Sequence, residues 1–209
     1  MPYSLKQILE KIASEKAPGP SPTFSVFHLL RIIELIAEKP TGRATLAKKL
    51  DLGEGATRTI IDRLKGASLI SVSKAGCAFT EKGLKFWQEY KSIFEKNVKI
   101  GRNELTLADY SYVILVKNRG HKVTSGVEQR DAAVVIGANG ATTVVLRKGR
   151  LIIPSVSSNV AEDFPKAADQ IIRLLQPKEN DVAIIVSADT MKKAEYGTLA
   201  AAWTLLNDP

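Results

Sequence analysis

One cysteine, Cys77, and two histidines, His28 and His121, are the only thiol and imidazole groups in 209 residues. A lone cysteine closes no intramolecular disulfide, so nothing points to an oxidising compartment. The two histidines fall in different halves of the chain, and no set of ligands has the spacing of a metal site. The phosphate loop GxxxxGK[ST] is missing, and GANGAT (137–142) does not follow a dinucleotide-binding fingerprint. No serine, histidine and acid are arranged for nucleophilic catalysis. The expectation is a protein that is not an enzyme and holds no metal or cofactor. Long apolar runs are lacking too, since none reaches the roughly 18 residues of a membrane span. Lys6, Glu10, Lys11 and Glu15 interrupt the first apolar stretch and exclude a signal-peptide core. A cytoplasmic protein without membrane contact is expected.

What is present is ordinary globular material, with 44% hydrophobic and 25% charged residues, enough for a real core. The length allows two small domains. The formal net charge is +8, and its distribution is uneven. Residues 1–100 hold 17 Lys/Arg against 10 Asp/Glu, a net of +7, whereas residues 101–209 hold 13 against 12, a net of +1. Such a split is the footprint of one domain that contacts phosphates and another that does not.

The basic half is organised around GEGATRTIIDRLKGASLI, residues 53–70. Read as a helix, it places Thr57, Ile60, Ile61 and Leu64 on one stripe. The opposite side carries Gly55, Arg58, Thr59, Asp62, Arg63 and Gly66, a polar face suited to a DNA major groove. Upstream, residues 3–16 read as a short amphipathic helix through Leu5, Ile8, Leu9 and Ile12. It is either a dimerisation or docking helix or one packed on its own domain. APGPSP (17–22) is a stiff break. Ser25 caps a helix to Glu38 that buries Leu29, Leu30, Ile33 and Ile36, and His28 near its start is read as structural. A shorter helix buries Leu46, Ala47 and Leu50. In the DLGEG turn, Gly53 and Gly55 permit a sharp change of direction.

Helix, short helix, turn, helix is the helix-turn-helix order. LISVS (69–73), KAG (74–76) and CAFT (77–80) then read as a hairpin with Lys74 at its tip. Thr80 caps TEKGLKFWQEYKSIFEKN, a helix expected to bury Leu84, Trp87, Tyr90 and Phe94. Residues 24–97 resemble a winged helix-turn-helix domain of the broad archaeal and bacterial regulator type, MarR-like in layout. The resemblance is carried by GRATLAKKLDLGEGATRTIIDRLKGASLI and by FTEKG, which is similar to the LTxxG step that opens the helix after the wing.

Residues 98–109 read as a connector and 110–209 as a second domain, with residues 1–23 as the amino-terminal helix and proline-rich linker. YSYVILVKN (110–118) is a strand, SGVEQRDAAVVIGA (125–138) a helix, and residues 141–154 a hairpin turning at Lys148–Gly149. EDFPKAADQIIRLLQP is a helix, DVAIIVSA (181–188) a buried strand, and residues 190–206 a final helix. The expected class is α+β: a winged helix-turn-helix domain followed by a two-layer α/β domain, β-α-β-β-α-β-α, with helices on one face of one sheet. The layout resembles an uncharacterised family of archaeal two-domain proteins, and its second domain is similar to the accessory domain of bacterial aspartyl-tRNA synthetases.

The reading is a homodimeric DNA-binding transcriptional regulator whose recognition helices enter major grooves roughly 34 Å apart. Arg58, Thr59 and Arg63 are the candidates for base or phosphate contacts, and Lys48, Lys49, Lys65 and Lys74 for the backbone. Asp62 either restrains Arg58 or accepts from cytosine. In the second domain, Glu128, Gln129, Arg130 and Asp131 at a helix amino terminus, with Thr142 and Thr143 nearby, form a candidate site for a small anionic ligand. That reading competes with a structural use of the same residues. A further alternative for the domain is dimerisation with Tyr196 and Trp203 as anchors. Two other classes of function stay open for the whole chain: an RNA or ribonucleoprotein module, and a protein-interaction adaptor.

Overall fold

The computed structural model describes residues 4–14 and 23–206, so the proline-rich break at 17–22 lies outside the described residues. The chain divides into two compact units, Met1–Lys91 and Ser92–Pro209. The first comprises helices α1 (Leu5–Ser14), α2 (Val26–Glu38), α3 (Arg43–Leu50) and α4 (Glu54–Gly66), the hairpin β1 (Ile70–Ser73) and β2 (Gly76–Phe79), and α5 (Glu81–Ile93).

Each element of the first unit has a local cause. Leu5, Leu9 and Ile12 of α1 are buried, and the helix packs on α2 and α4, so the own-domain reading of this helix is the one observed. Ser25 opens α2, and its backbone N–H donates to His28 Nδ1 at 3.1 Å. The histidine thus fills the reciprocal place that Glu or Gln takes in a capping box, which makes it structural. The turn between α3 and α4 differs from expectation. Its left-handed residue is Asp51 (φ 53), whereas Gly53 is extended at φ −61. Asp tolerates that conformation through its short polar side chain, so the glycines are not what bends the chain here.

The hairpin is fastened by backbone. Thr41 and Cys77 exchange N–H···O bonds of 3.1 and 2.9 Å, adding a one-residue third strand. Gly76 at φ +115 makes this possible, because a Cβ there would stand 2.6 Å from the Thr41 carbonyl carbon. Thr80 Oγ1 donates to Ser68 O at 2.6 Å and accepts the Gly83 N–H at 3.0 Å. At Gly83 a Cβ would meet Leu69 O at 1.9 Å, so the glycine of FTEKG lets α5 press directly on the chain leaving α4. That contact sets the rotation of α5. Phe86 and Tyr90 are buried with Gly83, while Leu84 is 50% exposed. Of the expected stripe, Leu84 is therefore turned outward, while Trp87 is half-buried and stacks between Phe79 and Tyr90 at 6.1 and 5.2 Å. Cys77 is buried, which pushes its thiol up and removes thiolate reactivity.

The second unit begins earlier than the sequence suggests. The helix stops at Ile93, and Phe94–Lys99 is a strand, β3, pairing antiparallel with β4 (Tyr110–Val116). There follow α6 (Val127–Val135), β5 (Gly140–Arg147), β6 (Arg150–Ile152), α7 (Val160–Asp163), α8 (Pro165–Leu175), β7 (Val182–Ala188) and α9 (Met191–Trp203). The sheet order is β3-β4-β7-β5-β6, antiparallel throughout. The α+β class is as expected, with one difference in layering.

Helices cover both faces of the sheet rather than one. Val113, Leu115, Val144, Ala183 and Ile185 pack with Ala168, Ile171 and Leu175 of α8. The alternate side chains face α6 and α9, where Gly197 lies so close to Val186 that a Cβ would stand 2.8 Å from its Cγ1. Strands buried on both faces read as continuous apolar runs, and every residue of β7 is buried. Between β3 and β4 the connector is ordered. Glu104 accepts the N–H groups of Lys166 and Ala167 at 3.1 and 2.9 Å, satisfying free donors of the α8 amino terminus.

Two outcomes test this account. Gly83→Ala forces a Cβ into Leu69 O and should cost about 3 kcal/mol or more of stability, measured by denaturant unfolding. Tyr90 donates to Glu34 Oε1 at 2.5 Å, and burial, reinforced by the Glu34 carboxylate, pushes its phenol well above the ordinary value. A raised pKa favours the protonated phenol in the folded state. Its stabilisation is complete below about pH 10 and is lost as pH climbs from there towards the folded value. Tyr90→Phe should flatten this alkaline loss in a pH-dependent melting series, at a cost of about 1.5–3 kcal/mol at neutral pH.

Candidate nucleic-acid interface

The stripe of α4 falls where its spacing requires. Thr57, Ile60, Ile61 and Leu64 are buried, and the hydroxyl of Thr57 donates to Gly53 O at 3.1 Å, so its one polar atom is satisfied inside. Turned away from that stripe, Arg58 and Asp62 are 71% and 65% exposed and stand 3.7 Å apart. An exposed i,i+4 pair of this length stabilises the helix by only a few tenths of a kcal/mol. It holds the guanidinium loosely and can be exchanged for a base edge. Thr59 donates its hydroxyl to Gly55 O at 3.0 Å, leaving its oxygen lone pairs to accept.

Arg63 is the main correction. Expected on the outward face, it is 8% exposed. Its Nη1 donates to Ile12 O and Ala13 O at 3.0 and 2.8 Å, and its guanidinium lies 5.2 Å from the centre of the Phe24 ring. The side chain spans from α4 to the Ile12 and Ala13 carbonyls of α1. It is a structural residue and leaves the outward face to Arg58. No sequence signal separated the two arginines, because the element that captures Arg63 lies about fifty residues upstream.

The remaining candidates are all exposed. Lys48 and Lys49 are exposed in the last turn of α3, Lys65 in the last turn of α4, and Lys74 at the tip of the hairpin. Sequence reasoning missed Arg43, the first residue of α3, which is 51% exposed and 3.9 Å from Glu54. The glycines also gain a meaning that the sequence concealed. A Cβ at Gly42, Gly53 or Gly55 would meet nothing within 4 Å, and none of the three has positive φ. No internal contact demands glycine there. Gly42 and Gly53 are the N-cap positions of α3 and α4, and neither helix has a side-chain cap. The first N–H groups of both helices are thus unscreened by side chains, as close approach by an anion requires.

The candidate anion site in the second unit is not assembled. Gln129 is buried and donates to Thr204 Oγ1 at 2.7 Å. Arg130 turns along the surface to Asp131, at 2.8 Å. Thr142 and Thr143 are consecutive on β5 and so point to opposite faces; Thr143 lies against Gly126, and Glu128 stands exposed in the first turn of α6. Tyr196 and Trp203, read as possible dimer anchors, are 6% and 7% exposed within their own unit. Among the described residues, no group of three or more His, Cys, Asp or Glu is placed to hold a metal ion. No helix among them is long and apolar enough to cross a membrane.

Comparison with known families divides the chain at the same place. Residues 25–94 match the family described as the CggR N-terminal DNA binding domain. Residues 107–205 match a domain of unknown function, DUF4443. Among solved structures, the chain is similar to a hypothetical protein from Pyrococcus horikoshii OT3, with 26% identity and a TM-score of 0.69. That likeness covers 87% of this chain and 92% of the other, so it includes both units. No curated protein matches the chain.

The division of labour between the two arginines is measurable. Arg63→Met should lower stability by roughly 1–3 kcal/mol, because the two α1 carbonyls lose their donor. Arg58→Met should leave it within about 0.5 kcal/mol of the parent. Denaturant titrations of both variants decide, and equal costs would refute the assignment.

Proposed function

We propose that the chain is a DNA-binding transcriptional regulator that acts as a homodimer, with α4 as its reading helix. The observation that carries this is the exposed face of α4, on which Arg58, Thr59, Asp62 and Lys65 stand clear of the core. It lies within the segment similar to a DNA-binding domain family. In a major groove Arg58 is the residue for guanine O6 and N7, and Asp62 for the cytosine amino group. Lys48, Lys49, Arg43 and Lys65 serve the phosphates, and Lys74 on the hairpin acts as the wing. The amino ends of α3 and α4, opened by Gly42, Gly53 and Gly55, accept a phosphate against the backbone N–H groups. Glycine costs an exposed helix about 1 kcal/mol relative to alanine, so its use at Gly55 has a return outside the folded chain.

The role we assign to the second unit is pairing of subunits. Of the residues read as an anion site, Gln129, Arg130 and Asp131 are engaged elsewhere, while α6 leaves Val127, Val134 and Val135 exposed by 44%, 46% and 84%. Two reading helices about one helical turn apart, roughly 34 Å, then address a two-fold symmetric operator.

The test is a binding series on a selected operator and on random duplex. Arg58→Ala should lose about 1–3 kcal/mol on the operator and distinctly less on random DNA, without a change in melting temperature. Gly55→Ala should weaken both complexes while leaving stability equal or higher by up to about 1 kcal/mol. Sedimentation equilibrium should give a dimer at micromolar concentration. Absence of any salt-dependent binding to duplex DNA sinks the proposal and favours an adaptor.

A further inference from the structure

Charge in the second unit is concentrated at one end of its sheet. β7 runs antiparallel to both β4 and β5, so Val182 pairs with Val116 on one side and Val145 on the other. The segments 117–123, 147–150 and 176–181 therefore meet at the same end. Together they hold seven Lys or Arg and two carboxylates, a net of +5. Residues 101–209 as a whole carry only +1, so the remainder of that stretch is net −4. Whole-domain arithmetic hides the polarity.

The two carboxylates chiefly hold backbone rather than neutralise neighbours. Glu179 accepts the N–H groups of Lys148 and Gly149 at 2.7 and 3.1 Å, and these bonds keep its carboxyl below the usual range. Asp181 is buried and accepts the N–H groups of Asn118 and Lys178, both at 2.8 Å. Lys117 pairs with Glu95 at 2.8 Å. Arg119, Lys122, Arg147, Lys148, Arg150 and Lys178 then form a cationic end.

The loops that present them are cross-tied. Gly120 N donates to Asn180 O at 2.7 Å, and Arg147 Nη2 donates to Gly120 O at 3.0 Å. Asn180 Nδ2 bridges Asn118 Oδ1 and His121 Nδ1. Among the described residues, seven other than glycine have positive φ, and Asn118, Lys148, Gln176 and Asn180 at this end are four of them. These residues close tight connections at this end: Gln176 is the C-cap of α8, and Lys148 lies in the two-residue turn between β5 and β6.

We infer that this end of the second unit binds the phosphodiester backbone of a nucleic acid. The cations are spread over the ends of four neighbouring strands, about 14 Å at the usual strand spacing. That is too wide for one small anion and matches about three successive phosphates along one strand of a duplex. Backbone binding needs no base edges, and this surface offers cations and backbone rather than a reading helix. The inference goes beyond the role assigned to α4, and either can fail alone.

The experiment uses the full chain with Lys148→Asn and Arg150→Gln together. Asparagine keeps the left-handed turn at 148, and both side chains are exposed, so the melting temperature should not move. Affinity for a random-sequence duplex at 0.15 M salt should fall about tenfold, and the slope of log K against log salt should flatten by about two. A control pair at exposed sites elsewhere, Lys166→Gln with Lys193→Gln, should leave the slope unchanged. Parallel titrations with duplex DNA and double-stranded RNA identify which backbone is bound, by which titration shows the loss. Unchanged affinity and slope on both, or an equal loss in the control pair, overturns the inference. Arg58→Ala measured alongside separates it from the α4 reading: that variant should cost operator preference and leave the contribution of Lys148 and Arg150 intact.

Discussion

A buried cation decides which arginine of α4 faces solvent. Arg63 gives up its hydration to bond the last carbonyls of α1 and to lie beside the Phe24 ring. Desolvating a charge is costly unless its hydrogen bonds are replaced, and here the Ile12 and Ala13 carbonyls replace them. The consequence reaches beyond stability. With Arg63 committed inward, α4 shows solvent a single arginine on its central turns, Arg58, tethered to Asp62 by an exposed contact of 3.7 Å. In the role proposed for α4, one loosely held guanidinium beside a carboxylate suits discrimination between bases, whereas two free arginines would add mainly non-specific attraction.

Placement of the hairpin rests on the absence of side chains. Gly76 and Gly83 let backbone meet backbone at Thr41 and at Leu69, where a Cβ would fall inside van der Waals contact. At Gly42, Gly53 and Gly55 a Cβ would meet nothing within 4 Å. The same residue type therefore stands in opposite surroundings in one unit: two positions allow internal close approach, and three have open space where a Cβ would be. Only the surroundings tell them apart, since all five read alike as punctuation between periodic segments.

Much of the fold was legible. The apolar period of 3.6 in α2 and α4, the turn signals at Lys74 and at Lys148–Gly149, and the proline at 177 placed elements close to where they lie. What the pattern misjudged were the places where a remote contact overrules it. The rotation of α5 follows from the Leu69 carbonyl at Gly83, so Phe86 rather than Leu84 is buried. Ile93 ends that helix, and the following residues join a sheet, because Phe94–Lys99 finds a partner in β4. The uninterrupted apolar character of Val182–Ala188 was visible, and its consequence is two covered sheet faces rather than one.

By itself, the sequence determined the α+β class, the helix-turn-helix order, the hairpin after it and the concentration of positive charge in the first half. All of these depend on local periodicity, turn chemistry and counting. Tertiary structure alone decided which arginine stays exposed and which one is buried. It also left the six residues of the expected anion site unassembled, and it drew the cations of three separate loops to one end of a nearly neutral domain. Each of those outcomes depends on groups far apart in the chain meeting within a few ångströms. Arg58, outward on the helix at the centre of the first half, owes its freedom to Arg63, five residues on, being held by carbonyls some fifty residues upstream.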